Sequence, residues 1–384
     1  MEFSKRTDNP AGACHELVAR IESIKSRGDA RFDLTRTDPT GWPERAALER
    51  QALGTLVSDE ASLHCPDPQG LEQARRFLTH VTGDVVPVSD WFLCASTSEA
   101  YSILFQLLCD PGDRVVVNRP SYPLLDDLAR HGSVGLVDVP LRWSDGRWRL
   151  DIGRLERAVK SDRTKAFCLI QPGNPTGWFL DEEERRKVAG LCAKHEVALV
   201  CDEVFADYTY RSGFRSLTGE ETCLTFVLSG LSKGFGLPGY KLGWVAMSGP
   251  GKLVDEARER LQRINDSLLS ASTPVQLALK TLWSLKDSLL APIQQRLVEN
   301  LEEWSRRSQE DPRYLPVDAG WMAILSLDDG LEEKVCSEAL ERGLIIQPGF
   351  LFDLPFDGVV VSLLSETAVF REGLGVLQDI VCSL

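Results

Sequence analysis

The sequence predicts an α/β protein with two parts, a large domain built on a mostly parallel seven-stranded sheet between helices and a smaller α+β domain. Three observations lead there. Short, near-continuous apolar runs recur between helix-length amphipathic stretches, which is the pattern of parallel strands covered on both faces. The length of 384 residues exceeds what one hydrophobic core usually organises. Beyond the helices that end near Arg307 the strict alternation stops, and short strands and helices mix.

Residues 12–27 have the spacing of a short amphipathic helix, and Phe32 to Pro39 reads as an extended segment ending in a turn. A helical stretch follows around Glu44 to Leu56, and another starts at Gly70. The strand-like runs are then Trp91–Ala95, Arg114–Asn118, Gly135–Val139, Ala166–Gln171, Val197–Cys201, Leu224–Leu228 and Trp244–Met247. Gly251 to Leu269, rich in Arg and Glu, reads as a long exposed helix leaving this domain, with one or two more between Thr273 and Arg307. Trp321–Leu327, a helix over Leu331–Arg342, Leu344–Gln347, Gly358–Leu364 and a last helix from Glu366 make the small unit. The expected division is 45–270 for the large domain, and 1–44 with 271–384 for the small one.

Composition excludes several classes of function. The apolar fraction of 43% and charged fraction of 26% are ordinary for a globular protein. A net charge of −14 argues against nucleic-acid or anionic-membrane partners, which need clustered Lys and Arg. The N-terminus has no apolar core after its basic residues and no run is long enough to span a membrane, so a cytoplasmic protein is expected. Ten cysteines without a Cys-x-x-Cys read as reduced, buried hydrophobes, and five histidines show no paired ligand spacing, so no metal is expected.

The chemistry centres on Ser229-Gly-Leu-Ser-Lys233-Gly-Phe-Gly-Leu-Pro-Gly-Tyr-Lys241-Leu-Gly-Trp244, between two apolar runs. Small residues fence Lys233 and give a planar ligand access to the backbone. A lysine desolvated among strands has a lowered pKa, and its neutral amine can form a Schiff base with an aldehyde. Gly234, Gly236 and Gly239 formally match a dinucleotide fingerprint, but Pro238 interrupts the run and another strand follows, where that fingerprint requires a helix.

Other strand ends carry polar groups. Val197–Cys201 ends in Asp202-Glu203, and open α/β sheets bind ligands at the carboxyl ends of their strands. Ala166–Gln171 runs into Pro-Gly-Asn174-Pro-Thr-Gly177, either a ligand-directed amide or a plain β-turn. Ser96-Thr97-Ser98 opens a helix and offers N–H groups and hydroxyls to a phosphate, or an ordinary N-cap. Tyr122, in Arg119-Pro-Ser-Tyr-Pro123, is placed either to stack on a flat heterocycle or simply to pack.

This ordered set, Ser-Thr-Ser-Glu-Ala, Pro-Ser-Tyr-Pro, Asn-Pro-Thr-Gly, Asp-Glu-Val and Ser-x-x-Ser-Lys, resembles the class I/II aminotransferases, fold-type I pyridoxal-phosphate enzymes similar to aspartate aminotransferase. The resemblance runs from about Phe32 to the end. It implies pyridoxal 5'-phosphate as cofactor, an amino acid and a 2-oxo acid as substrates, a biosynthetic role and a homodimer. It makes Lys233 the Schiff-base lysine and proton carrier, and Asp202 the partner of the pyridine nitrogen. Asn174 then meets the ring hydroxyl, Tyr122 stacks on the ring, and Ser96, Thr97, Ser98, Ser229, Ser232 and Lys241 hold the phosphate.

The departures from the family pattern are specific. Lys241 stands where the family usually has Arg, and Phe205 where a tyrosine commonly follows the Asp. Val360 stands two residues before Ser362, where an Arg typically clamps the substrate carboxylate. Arg36 is the candidate replacement, against a merely solvated Arg. His64 is near the place of a tyrosine that reaches the other subunit's phosphate. Trp178, Trp321 and Phe350 are candidates for pocket walls, against simple core packing. Two rival readings remain at this stage. One keeps the cofactor but performs elimination, replacement or racemisation; the other is a cofactor-binding regulatory module, which would need a helix-turn-helix domain and a basic patch.

Overall fold

A computed structural model describes residues 4–7, 15–63 and 66–384. The strands are β1 (Phe32–Asp33), β2 (Trp91–Cys94), β3 (Arg114–Arg119), β4 (Gly135–Ser144), β5 (Arg147–Leu150), β6 (Thr164–Ile170) and β7 (Ala198–Asp202). They continue with β8 (Thr225–Gly230), β9 (Gly243–Ser248), β10 (Met322–Ser326), β11 (Leu344–Ile345), β12 (Gln347–Pro348) and β13 (Gly358–Ser362).

The large sheet has the order β2-β9-β8-β7-β6-β3-β4-β5. All seven expected strands are in it, but it has eight members rather than seven. The extra strand is β5, antiparallel to a β4 that runs on to Ser144. Asp145 (φ 51°) and Gly146 (φ 74°) connect them as a two-residue turn with both φ angles positive. Such a turn matches the twist of the two strands, and Asp-Gly is its usual sequence. The pairs β4/β3, β3/β6, β6/β7 and β7/β8 are parallel, and β9 is antiparallel to both of its neighbours.

Period-2 alternation puts successive side chains in two different apolar layers. Val115, Val117, Cys168, Val200 and Phe226 face one layer, while Val116, Phe167, Leu199 and Val227 face the other. The Gly251–Asp266 helix covers the first layer with Val254, Ala257 and Leu261. The expectation of an exposed helix leaving the domain is therefore corrected. Its Arg and Glu residues form the solvated face, and the apolar positions spaced three and four apart form the buried one. Cys94, Cys168, Cys192, Cys201, Cys223 and Cys336 are buried free thiols.

The C-terminal region forms a three-stranded antiparallel sheet, β10-β13-β12, and β11 pairs with β1 in parallel. The helical stretch beyond residue 270 is two helices, Thr273–Ser284 and Lys286–Glu310. β2, β7 and β8 all point their carboxyl ends the same way, so Cys94, Asp202 and Gly230 finish at one edge of the sheet, where β9 begins at Gly243.

Candidate active site

Lys233 is in the four-residue helix Leu231–Gly234, directly after β8. Gly236 has φ 62°, a three-residue 3-10 helix follows at Pro238–Tyr240, and β9 starts at Gly243. The glycine run therefore opens no long helix. The Lys233 side chain is partly buried, with Nζ 4.6 Å from the Trp321 ring centroid and 6.0 Å from that of Phe205. Nζ also donates to the Thr37 carbonyl at 3.5 Å. Burial pulls its pKa below the ordinary lysine value, and nearby Asp38 opposes that.

Asp202 is the last residue of the neighbouring strand β7, in register with Leu228 of β8, and it is 7% exposed. Val204 N donates to its Oδ1 at 3.1 Å. Burial is the largest influence and pushes its pKa up to about 6, against Val204 N–H and the Tyr101 side chain, while Glu203 adds to the rise. The Tyr101 hydroxyl is buried and makes no full hydrogen bond of its own. Glu203 points elsewhere and accepts from Gln171 Nε2, Ser216 Oγ and Leu217 N, which marks it as structural.

The Ser96-Thr97-Ser98 turn starts the Thr97–Leu108 helix. Ser96 Oγ accepts from Glu99 N at 3.2 Å, so this hydroxyl is engaged as the N-cap. First-turn N–H groups have no intrahelical acceptor, so those of Thr97 and Ser98 face outward along the helix axis. Gly243 closes up behind them: a Cβ there would be 3.2 Å from Ser96 C and 3.3 Å from Thr97 N. Ser229 pairs with Trp244 and Gly230 with Gly243, which brings the Ser229 end of β8 to the same corner. Ser232 is partly buried, and Lys241 (φ 52°) is exposed.

The Asn174 loop reaches this edge from β6. Asn174 Oδ1 is buried without a hydrogen-bond partner. Gly177 (φ 64°) packs so tightly that a Cβ would be 2.4 Å from Ala319 O, which fixes the loop against the segment leading to Trp321. Trp178 and Trp321 are both buried with unpartnered indole N–H groups. Of the two, Trp321 is the one beside Lys233.

Other expected residues stand further out. Tyr122 is 49% exposed. The Arg36 side chain is exposed, and its carbonyl accepts from Ser362 Oγ. Val360 is fully buried in β13, opposite Ile324 on one side and Gln347 on the other. Phe350 is 37% exposed, with its ring 4.6 Å from that of His15. His64 lies outside the described residues.

Sequence reasoning missed Tyr208, Tyr101, Asp38 and the Thr37 carbonyl. Tyr101 had a usable signal, since it lies one helical turn after Thr97 and so on the same helix face. The other three carry no local signal, because their relation to Lys233 or its surroundings is set by packing.

The chain matches the aminotransferase class I and II family over residues 33–358. It is 29% identical over 280 residues to an alanine aminotransferase of Mycobacterium tuberculosis, covering 70% of this chain and 63% of that one. Nicotianamine aminotransferase 1 of Oryza sativa is 26% identical over 376 residues, 92% of this chain and 75% of that protein. Among solved structures, an alanine aminotransferase from Pyrococcus furiosus superposes with a TM-score of 0.86 at 21% identity, covering 100% of both chains. That likeness establishes the fold.

Proposed function

The chain belongs to the aminotransferase class I and II family, and from that premise we propose that it is a pyridoxal-phosphate-dependent aminotransferase with Lys233 as the amine that carries the cofactor. Its substrates on this reading are an amino acid and a 2-oxo acid. One observation carries the reading: a desolvated lysine and a desolvated carboxylate lie at the ends of adjacent parallel strands. An isolated buried carboxylate is unfavourable unless a cation meets it.

The residues fit pyridoxal phosphate. Asp202 would hold the ring nitrogen, the Asn174 amide, whose Oδ1 is unpartnered, the ring hydroxyl, and the Thr97 and Ser98 turn the phosphate, with added contacts from Ser229, Ser232 and Lys241. When bound, the group supplies a cationic ring that weakens the substrate Cα–H bond by withdrawing electrons. Asp202, as the anion, keeps the ring nitrogen protonated. Lys233 Nζ, whose desolvation favours the neutral amine, would accept a proton from the substrate Cα and return it. Trp321 and Phe205 wall this amine and exclude water from it. Tyr122 would flank the ring.

The carboxylate partner remains Arg36, whose backbone is tied to Ser362 beside Val360. The family resemblance supports a homodimer, and the acidic composition supports a cytoplasmic location. Among the described residues no helix is long and apolar enough to cross a membrane. The division into 45–270 against 1–44 with 271–384 follows from the change in element pattern.

The test is reductive trapping. Protein mixed with pyridoxal phosphate and treated with borohydride should carry the added mass on the peptide containing Lys233, and an amino donor should convert the cofactor stoichiometrically to its amine form. An adduct on another residue, or none, overturns the reading. Release of ammonia or a substituted product, with no amine form from any donor, favours the elimination or replacement chemistry instead.

A further inference from the structure

We propose that Arg45 is a positioning residue for this reaction: its guanidinium ties the Thr37–Pro39 segment to the Lys233 turn and so fixes where the Lys233 amine stands. The inference rests on Lys233 being the reactive amine. Arg45 is fully buried. Its donors reach four carbonyls in three separate stretches of the chain, two of them distant in sequence. Nη1 donates to Pro39 O, Nη2 to Phe235 O at 3.3 Å and Gly236 O at 3.1 Å, and Nε to Leu289 O at 3.3 Å. Glu49 Oε1, 3.1 Å from Nη1, supplies the counter-charge.

These partners bear directly on the amine. Phe235 and Gly236 closely follow Lys233, and Pro39 closely follows Thr37, whose carbonyl accepts from Lys233 Nζ. One planar fork therefore grips both sides of that contact, and a fork holds direction where a single ammonium would not. The fit leaves no slack, because a Cβ on Gly236 would be 2.7 Å from Arg45 Nη2. Tyr208 holds the other end of the turn through the Lys233 carbonyl. Asp38, in the tied segment, is the charged group whose field reaches the amine.

The test compares Arg45→Lys, which keeps the charge but loses the fork, with Arg45→Met, which loses both. Competitive acylation followed by peptide mass spectrometry gives the pH midpoint of Lys233 in the full chain, with exposed Lys252 as internal reference. Both variants should raise the Lys233 midpoint by about half a pH unit or more, as solvent reaches the loosened amine, and leave Lys252 unchanged. In the loaded enzyme kcat should fall about tenfold with KM nearly constant. Folded variants with the wild-type midpoint and kcat overturn the inference. If Arg45→Met does not fold, Arg45→Lys decides alone. A wild-type Lys233 that titrates as Lys252 does would overturn the functional reading itself, which separates the two failures.

Discussion

The Tyr208 hydroxyl donates to the Lys233 carbonyl at 2.7 Å. The Tyr208 ring also stands edge-on to Trp321 at 5.0 Å, and the Trp321 ring lies 4.6 Å from Lys233 Nζ. The three residues close a loop of contacts in which backbone, ring and amine fix one another. Replacement of Tyr208 by Phe leaves Gly236 N on the Lys233 carbonyl at 3.2 Å. Tyr208→Phe should therefore cost about 1 kcal/mol in a urea melt. A loss beyond about 3 kcal/mol would mean that the hydroxyl does more than this one bond.

Asp202 has a sign that can be checked in cofactor-free protein. Its folded pKa, about 6, is above the ordinary 3.8. The folded state then binds more protons than the unfolded chain between those values, so stability is full below pH 4 and declines as pH rises through about 6. The difference of about two units corresponds to an upper bound of about 3 kcal/mol. Asp202→Asn should be more stable than wild type at pH 8 by up to that amount, with no gain near pH 4. Equal stabilities at pH 8 would show that the carboxylate is not desolvated.

Val360 belongs to the core of the small sheet, with no exposed surface. Val360→Arg should destabilise the fold by about 3 kcal/mol or more, because it buries an unpaired cation. It should also leave kcat/KM for ordinary amino acids no higher than wild type. A variant with an unchanged denaturation midpoint and a tenfold higher kcat/KM would show that this position opens to the substrate.

Gly177 combines φ 64° with an Ala319 oxygen 2.4 Å from where a Cβ would stand. Gly177→Ala should destabilise the fold by about 2 kcal/mol or more and weaken cofactor retention, because the Asn174 loop must shift. Gly190→Ala, where a Cβ meets nothing within 4 Å, is the control and should gain stability slightly. Matching melts for the two variants would contradict the close approach.

The large sheet's strands were legible because apolar runs with polar punctuation require little beyond local pattern to specify a buried parallel strand. The reactive stretch was legible for the same reason: Lys233, Asp202 and Asn174 each follow such a run, and strand ends are where a sheet presents polar groups. The strand β5 was encoded too, in Asp145-Gly146, but its four residues are short enough to be read as loop.

Tertiary structure alone decided which distant groups meet the amine. The Thr37 carbonyl is 196 residues away from Lys233 in the chain, and Tyr208 and Arg45 carry no mark of their destination in their own neighbourhoods. A period of two or of 3.6 residues says which face of an element is buried, but not what will be packed against it. That depends on how the N-terminal segment and the small sheet dock on the edge of the large one, and this docking turns an ordinary buried lysine into one with a fixed direction and a lowered pKa.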